Sequence, residues 1–480
     1  MQSLSKRKIR DADDTADNRK LKAGCLVSDG VDVDEPVSAG QHAQFSIPRL
    51  RFATESWAGM KTSNEDRHVV STEFFPGPVF GIFDGHGGTF TADFLSRQLL
   101  KTVASAIRRN LGDKALADLR ACQEVSNQEK NRRDALVEQE KLLRQQLTEV
   151  EAMRLGATDP DLAISADTTD ELDMVFNQFK TAISQIDTEV EQIGGEEAAR
   201  REERWMWCHE QHSNFLRSFK DAFERVDAQT MQKNPSQDGS TALLVWFLAD
   251  STSRDVNDRN IDEDCNEHTG GLTFYTVNLG DCRAVMCRGG QAVQLTCDHK
   301  PDRPDEKKRI EKAGGFVGKI AGIARVYSAA GAGLAIQQES STYLAVSRAF
   351  GDRSLKTPTT LVSCDPEVIR FQVQEDDLFL VMACDGVWDV LSNQDVVDIA
   401  LPHFHDAKAA ADAIVKAAYK KGSVDNLTAT VVQFGWKNDA QVQHALENSK
   451  VQAAKSSTST TNEESHANDS AEEEIDMFNL

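Results

Sequence analysis

Three apolar runs in this chain end in an acidic turn, and that repetition constrains the fold more than any other feature. The first, Val79-Phe80-Gly81-Ile82-Phe83-Asp84-Gly85-His86-Gly87-Gly88, is short, aromatic and β-branched. It predicts a buried strand whose end holds Asp84 while Gly85 and Gly87 admit close backbone approach. The pattern returns at Leu378-Phe379-Leu380-Val381-Met382-Ala383-Cys384-Asp385-Gly386 and, in variant form, at Phe274-Tyr275-Thr276-Val277-Asn278-Leu279-Gly280-Asp281. Two more acidic turns precede β-rich runs: Asn64-Glu65-Asp66 before Val69-Val70, and Asp425-Asn426 before Leu427-Thr428-Ala429-Thr430-Val431-Val432. A single Asp-Gly is a hairpin signal. Carboxylates at several strand ends either lie far apart or share a counter-charge, because gathered anions repel unless a hard divalent cation neutralises them. Oxygen-only ligation points to magnesium or manganese, not zinc.

The runs from Ser240 onward read as an antiparallel meander: Thr241 to Leu248, Leu272 to Leu279, Arg283 to Cys287 and Ala292 to Leu295, with Arg288-Gly289-Gly290 as a hairpin turn. A helix follows, with Pro304 in its first turn, Asp305 and Glu306 favouring its N-terminal dipole and Gly314-Gly315 at its end. Sheet segments with helices at both ends of the set predict α+β layers, not alternating βαβ units.

Between Leu95 and Phe223 the periodicity is helical and longer than a strand crossover requires. Leu172, Phe176, Phe179, Ile183, Ile186, Val190 and Ile193 alternate steps of four and three, one seam of a helix. Leu136, Leu143, Leu147 and Val150 repeat it in part, so Gly156 to Asp170 is expected to turn an antiparallel hairpin. That insert, about residues 110–205, either packs on itself or serves as a docking or self-association arm for a protein partner.

Residues 1–48 are polar and aperiodic and are expected to be disordered. Their clusters Lys6-Arg7-Lys8 with Arg10, and Arg19-Lys20-Leu21-Lys22, have bipartite nuclear-import spacing, the alternative being a solvated basic tail. Residues 437–480, running into Glu472-Glu473-Glu474, are expected to be an acidic, mostly disordered tail. The domain proper is then 49–436.

A formal net charge of -23 argues against nucleic-acid or anionic-membrane binding, which requires clustered Lys and Arg. Nine cysteines without CxxC pairs suggest neither structural zinc nor a disulfide framework. With no apolar leader or spanning stretch, the expected location is cytoplasmic, nuclear or both.

Two hard cations sharing one carboxylate can activate water and neutralise a phosphoryl group during in-line attack. His86, directly after the turn at Asp84, stands where an acid could protonate a leaving alkoxide; the alternative is a turn histidine satisfied by hydrogen bonds. At this point the chain resembles the metal-dependent serine/threonine protein phosphatases of type 2C. The motifs are Asn64-Glu65-Asp66, Phe83 to Gly88, Asp238-Gly239-Ser240-Thr241-Ala242, Asn278 to Arg283, Asp298-His299-Lys300-Pro301, Leu344 to Asp352, Ala383 to Val390 and Ser423-Val424-Asp425-Asn426, in family order. The resemblance covers roughly 50–436 apart from the insert. It implies a β-sandwich of two antiparallel sheets flanked by α-helices, a four-layer α-β-β-α arrangement with the helical hairpin inserted, and a metal cleft at one end.

Carried over by position, Asp84 bridges two Mg2+ or Mn2+ ions and the Gly85 carbonyl binds one of them. Asp385 and Asp425 complete the first ion's ligands, Glu65 serves the second, and Asp66 holds metal-bound water. Asp281 and Asp389 match positions that hold a weaker third ion, and His86 matches the general acid. The implied activity is hydrolysis of phosphoserine and phosphothreonine in protein substrates. Two departures stand out. Lys61 replaces a phosphate-binding arginine, keeping the charge but losing the two-pronged guanidinium. The flap beside the active site carries an extra segment, Ala329 to Ser341, with Gly331-Ala332-Gly333 suggesting mobility.

Two rival readings bear comparison. Cys282 and Arg288 stand at the spacing of cysteine-dependent phosphatases, but the residues between them include the apolar run Ala284-Val285-Met286, not a glycine-rich phosphate cradle. A catalytically weak scaffold, recruiting partners through the insert, would have been favoured by loss of Asp84, Asp385 or Asp425, and all three are present.

Overall fold

The computed structural model describes residues 50–157, 166–234, 238–248, 272–328 and 343–463. The basic N-terminal clusters, the centre of the hairpin turn, the flap segment with Gly331-Ala332-Gly333 and the Glu472-Glu473-Glu474 end lie outside the described residues.

The chain enters through β1 (Leu50–Trp57), β2 (Arg67–Ser71), β3 (Val79–Phe83) and the short β4 (Gly85–His86). Four helices follow, α1 (Phe90–Leu111), α2 (Asp113–Ala157), α3 (Ala166–Glu210) and α4 (His212–Lys233). Strands β5 (Gly239–Ser240), β6 (Ala242–Phe247), β7 (Thr273–Leu279), β8 (Arg283–Arg288) and β9 (Gln291–Gln294) lead to α5 (Pro304–Lys312). Next come β10 (Gly315–Ile320), β11 (Ile323–Ser328), β12 (Tyr343–Leu344) and β13 (Phe350–Gly351). Finally β14 (Glu367–Gln372), β15 (Asp377–Ala383) and β16 (Leu427–Phe434) complete two five-stranded sheets, with helices Asn393–Ala400 and Ala407–Lys420 between the last two strands.

The sheets have orders β1-β16-β15-β8-β9 and β14-β7-β6-β3-β2, and every pairing within them is antiparallel. They stack face to face with helices outside, which is the expected four-layer α+β sandwich. The absence of alternation in β6 follows, since a strand covered on both faces has no polar side to show. Its Leu243, Val245 and Phe247 lie between the sheets with Met286, Leu380, Met382 and Phe434. Its Ala242, Leu244 and Trp246 pack under α1 and α4 against Leu95, Phe215 and Phe219. On the far face, Phe379, Val381 and Val431 meet Val396, Val397, Ile414 and Val415 of the helices Asn393–Ala400 and Ala407–Lys420. Trp246 is fully buried, with the Phe215 ring edge-on at 5.0 Å.

The insert is the antiparallel pair α2/α3, and it packs on itself. Phe176, Ile183, Ile186 and Ile193 are buried along the predicted seam, and Leu136, Leu143, Leu147 and Val150 of α2 are half-buried. Arg133–Glu197 at 2.9 Å, Arg154–Asp173 at 2.5 Å and Arg200–Glu129 link the two helices. The Arg154–Asp173 pair is substantially exposed and contributes at most about 1 kcal/mol, whereas the other two are half-buried; all three fix the register of the helices.

The C-terminal expectation differs from what is found. Residues Asp439–Glu463 form a helix rather than a disordered tail. Asn438 accepts the Gln441 N–H at 2.9 Å and Gln441 Oε1 accepts the Asn438 N–H at 3.1 Å, a reciprocal cap. Val442 and Ala445 are buried on the sheet bearing β8 and β9. Among the described residues no helix is long and apolar enough to cross a membrane.

Candidate metal centre

Antiparallel order explains why the acidic turns meet. β3, β7 and β15 end at the edge of the sandwich where β2 and β16 begin, so all five turns open on the same rim. Carboxylate oxygens of Asp84, Asp281 and Asp385 lie within 4.8 Å of one another. Asp66 and Asp84 form a second group with the Cys384 thiol on the same criterion. That thiol is already engaged, donating to the Asn426 carbonyl at 3.4 Å and accepting the Thr428 N–H at 3.2 Å. Burial pushes it well above the ordinary thiol range, and its hydrogen-bonding capacity is taken up within the fold.

Electrostatics mark this rim as short of positive charge. Burial, then repulsion from Asp385, Asp66, Asp281 and Asp425, holds the Asp84 carboxyl well above the usual range. Burial and Asp281 push Asp385 up to about 8, against an opposing pull from Lys300. Burial raises Asp66 to about 6, although the hydrogen bond from Thr428 opposes it. Asp66 Oδ2 accepts from Thr428 Oγ1 at 2.6 Å, while its Oδ1 is buried with no protein partner. An orphaned buried carboxylate oxygen beside three clustered carboxylates, with only oxygen donors to offer, fits a hard divalent cation.

The remaining predicted residues are placed less uniformly. Asn426 pins the loop carrying Lys61 and Glu65: its amide donates to the Ala58 and Ser63 carbonyls at 2.9 Å each, and its Oδ1 accepts the Glu65 N–H at 2.9 Å. Neither Glu65 nor Asp425 belongs to the two carboxylate groups. Asp425 is instead ion-paired with Lys61, the cation expected to greet phosphate. Burial would lower the Lys61 pKa, but Asp425, Asp84 and Glu65 outweigh it and raise it. Gly85 must be glycine, since a Cβ there would lie 2.5 Å from the Glu65 carbonyl oxygen. Asp389 stands one turn beyond Asp385, its N–H donating to the Asp385 carbonyl at 2.8 Å, and lies outside both groups.

Two contributors were present in the sequence motifs without a role. Lys300 donates to Asp281 Oδ2 at 2.5 Å, so an ammonium occupies the side where the resemblance implies a third ion. Asp352 faces His86, whose Nε2 lies 2.9 and 3.0 Å from its two oxygens. Burial would lower the imidazole pKa, and Asp352, Asp281 and Asp238 together raise it. The pair packs over bare backbone: a Cβ on Gly239 would lie 2.2 Å from Asp352 Oδ2 and 2.3 Å from His86 Nε2. The cysteine-dependent alternative has no support here. Cys282 is wholly buried with its thiol held well above the ordinary range by burial, and Arg288 is engaged with Asp377 at 2.7 Å.

Carboxylates converging on one rim of a two-sheet sandwich form a site that could hold cations, and comparison with known proteins gives the class. A model of the protein phosphatase 2C family matches residues 169–427, more than half the chain. Probable protein phosphatase 2C 45 of Oryza sativa subsp. japonica is 38% identical over 229 residues, 46% of this chain and 67% of that protein. Probable protein phosphatase 2C 69 of Arabidopsis thaliana is 34% identical over 290 residues, 57% of this chain and 70% of that protein. Among solved structures, serine-threonine phosphatase 2C from Toxoplasma gondii aligns over 81% of this chain and 96% of its own, at 20% identity and a TM-score of 0.48. The chain belongs to the protein phosphatase 2C family, a class of serine/threonine protein phosphatases.

Proposed function

We propose that this chain hydrolyses phosphoserine and phosphothreonine in proteins at a binuclear magnesium or manganese centre. The observation that carries the reading is the convergence of Asp84, Asp281 and Asp385 beside the unpartnered Asp66 oxygen. Asp84, the Gly85 carbonyl, Asp385 and Asp425 would hold one ion, and Asp84 with Glu65 the other, with Asp66 supporting from behind. Bound there, the ions supply the Lewis acidity that activates water and offsets charge on the phosphoryl group.

The chain's own residues do the rest. Asp352 engages His86 at Nε2, which leaves Nδ1 as the atom that delivers a proton to the departing serine or threonine oxygen. Lys61 stands at the mouth, about one-third exposed, as a cation for substrate phosphate once Asp425 is engaged elsewhere. Lys300 holds Asp281 in place. Phosphate release from a phosphothreonine peptide, measured with MnCl2 and again with metals chelated, tests this directly. Activity only with metal is expected; equal activity under both conditions would overturn the metal-centred reading, and none under either would favour a scaffold.

A further inference from the structure

Asp227 is a buried charge that the proposed reaction leaves without a role. It lies on α4, the helix that carries the chain from the hairpin back into the core. Its Oδ1 accepts from Lys356 Nζ at 2.7 Å and from the Gly351 N–H at 2.9 Å, and Lys356 also donates to the Ala349 carbonyl at 2.7 Å. The Asp227 and Lys356 side chains are each 4% exposed. A buried pair of this kind is weak as a source of net stability, yet breaking it leaves an uncompensated charge, so it holds its surroundings to a single geometry.

What it holds is the turn that presents Asp352. Ala349 and Gly351 precede Asp352 and Lys356 follows it, so the pair grips the turn on both sides. Asp352 itself has φ 51° and ψ 46°, a left-handed conformation uncommon outside glycine and tolerated best by Asn and Asp. Opposite the grip, the Asp352 N–H meets the Asp238 carbonyl at 3.3 Å, and a Cβ on Gly351 would lie 2.4 Å from the same oxygen. Held on both sides, the turn presents the Asp352 carboxylate to His86 Nε2.

We infer that Asp227, acting through Lys356 and the Gly351 N–H, is a positioning residue for the His86–Asp352 pair, so that the return helix of the insert sets the geometry of proton delivery. This rests on the proposed acid role of His86. Loosening the grip turns Asp352 away, and the imidazole loses the acceptor that orients it. Substrates with poor leaving groups then suffer, while those that leave unaided do not.

The test uses the full chain with saturating MnCl2 and compares kcat on a phosphothreonine peptide with kcat on 2,4-dinitrophenyl phosphate. Asp227→Asn is expected to slow the peptide about tenfold and the aryl phosphate less than about twofold, with Mn2+ affinity by calorimetry unchanged. Lys356→Met should repeat that split, so the result does not hang on the folding of one variant. Added to His86→Ala, Asp227→Asn should have little further effect on the peptide, because the group it positions is gone. An equal loss on both substrates, or an undiminished effect in the His86→Ala background, would overturn the inference. If His86→Ala discriminates between the substrates and Asp227→Asn does not, positioning alone is wrong; if His86→Ala slows both equally, the acid reading fails and this inference falls with it.

Discussion

Asp385→Asn should stabilise the metal-free protein and remove most of its response to manganese. A carboxyl whose pKa is higher folded than unfolded binds more protons in the folded state. Its contribution is therefore fully favourable below the ordinary carboxylate range and is lost progressively as pH rises toward the folded value. For Asp385 that window runs from 3.8 to about 8. At pH 7.5 the full shift would correspond to about 5 kcal/mol of destabilisation. Part of the Asp385 side chain faces solvent, which screens the repulsion, and the repulsion is shared with Asp281 and Asp84, so we take about half, 2–3 kcal/mol. In a domain of several hundred residues each kcal/mol moves the midpoint by about 1.5 °C, giving a gain of about 4 °C at pH 7.5. Near pH 5 the gap should shrink to about a third, because the wild-type carboxyl is then largely protonated.

The assay is thermal unfolding of wild type and Asp385→Asn at pH 5 and pH 7.5, each with metals chelated and with MnCl2. Comparing the two proteins cancels groups such as Glu306, which Arg348 and Arg309 hold down at about 2 in spite of its burial. Wild type should gain stability with manganese and the variant should lose most of that gain. A metal-free variant no more stable than wild type at pH 7.5, or a gap equal at the two pH values, would refute the account of the rim as an uncompensated carboxylate cluster.

His86→Ala should slow phosphothreonine-peptide hydrolysis by about 10²-fold or more and 2,4-dinitrophenyl phosphate far less; parallel losses in steady-state assays would remove the acid role. Gly239→Ala should imitate it, because the new methyl meets both His86 Nε2 and Asp352 Oδ2, and unchanged peptide turnover in that variant would contradict the packing described. Lys61→Arg should lower KM for phosphopeptide several-fold at saturating manganese, since a guanidinium can engage phosphate through two parallel bonds; a raised KM would mean that the Asp425 pairing and not phosphate contact is the role of this position. Deletion of residues 124–193 should leave kcat/KM on a short phosphopeptide within about threefold, because the removed seam packs on itself and Asp227 remains. A large loss would show that the hairpin braces the core.

The strand ends were legible because their chemistry is local: an apolar run sets the strand, and the acidic residue after it marks the rim. The hairpin was legible for the same reason, its seam written in steps of three and four. The C-terminal helix carried a readable start in Asn438 and Gln441, but its burial depends on Ala445 meeting Gly290, where a Cβ would lie 2.2 Å from the Ala445 carbonyl oxygen. No periodicity announces a contact that two small residues make across the fold. The pairings that complete the rim are of the same kind. Lys300 reaches Asp281 from the loop after β9, and Asp352 reaches His86 across 266 residues of sequence.

The division of labour in this site has a physical reason. Carboxylates placed to hold cations need rigid rims, and strand ends supply them with two or three residues of sequence. A proton donor needs one rotamer and one partner at hydrogen-bond distance. Here the two-residue strands β4, β5 and β13, too short to be read from periodicity, pair Gly85 with Ser240, His86 with Gly239 and Gly351 with Gly239. Such short ladders fix little by their own hydrogen bonds. Their register is held by Asp238, whose side chain accepts from Phe90 N–H at 3.0 Å and Thr91 Oγ1 at 2.6 Å, and by Asp227 from α4. The carboxylate rim is thus a property of the two large sheets, whereas His86, the proposed acid, belongs to a small sheet clamped by α1 and α4, and α4 is the helix into which the insert runs.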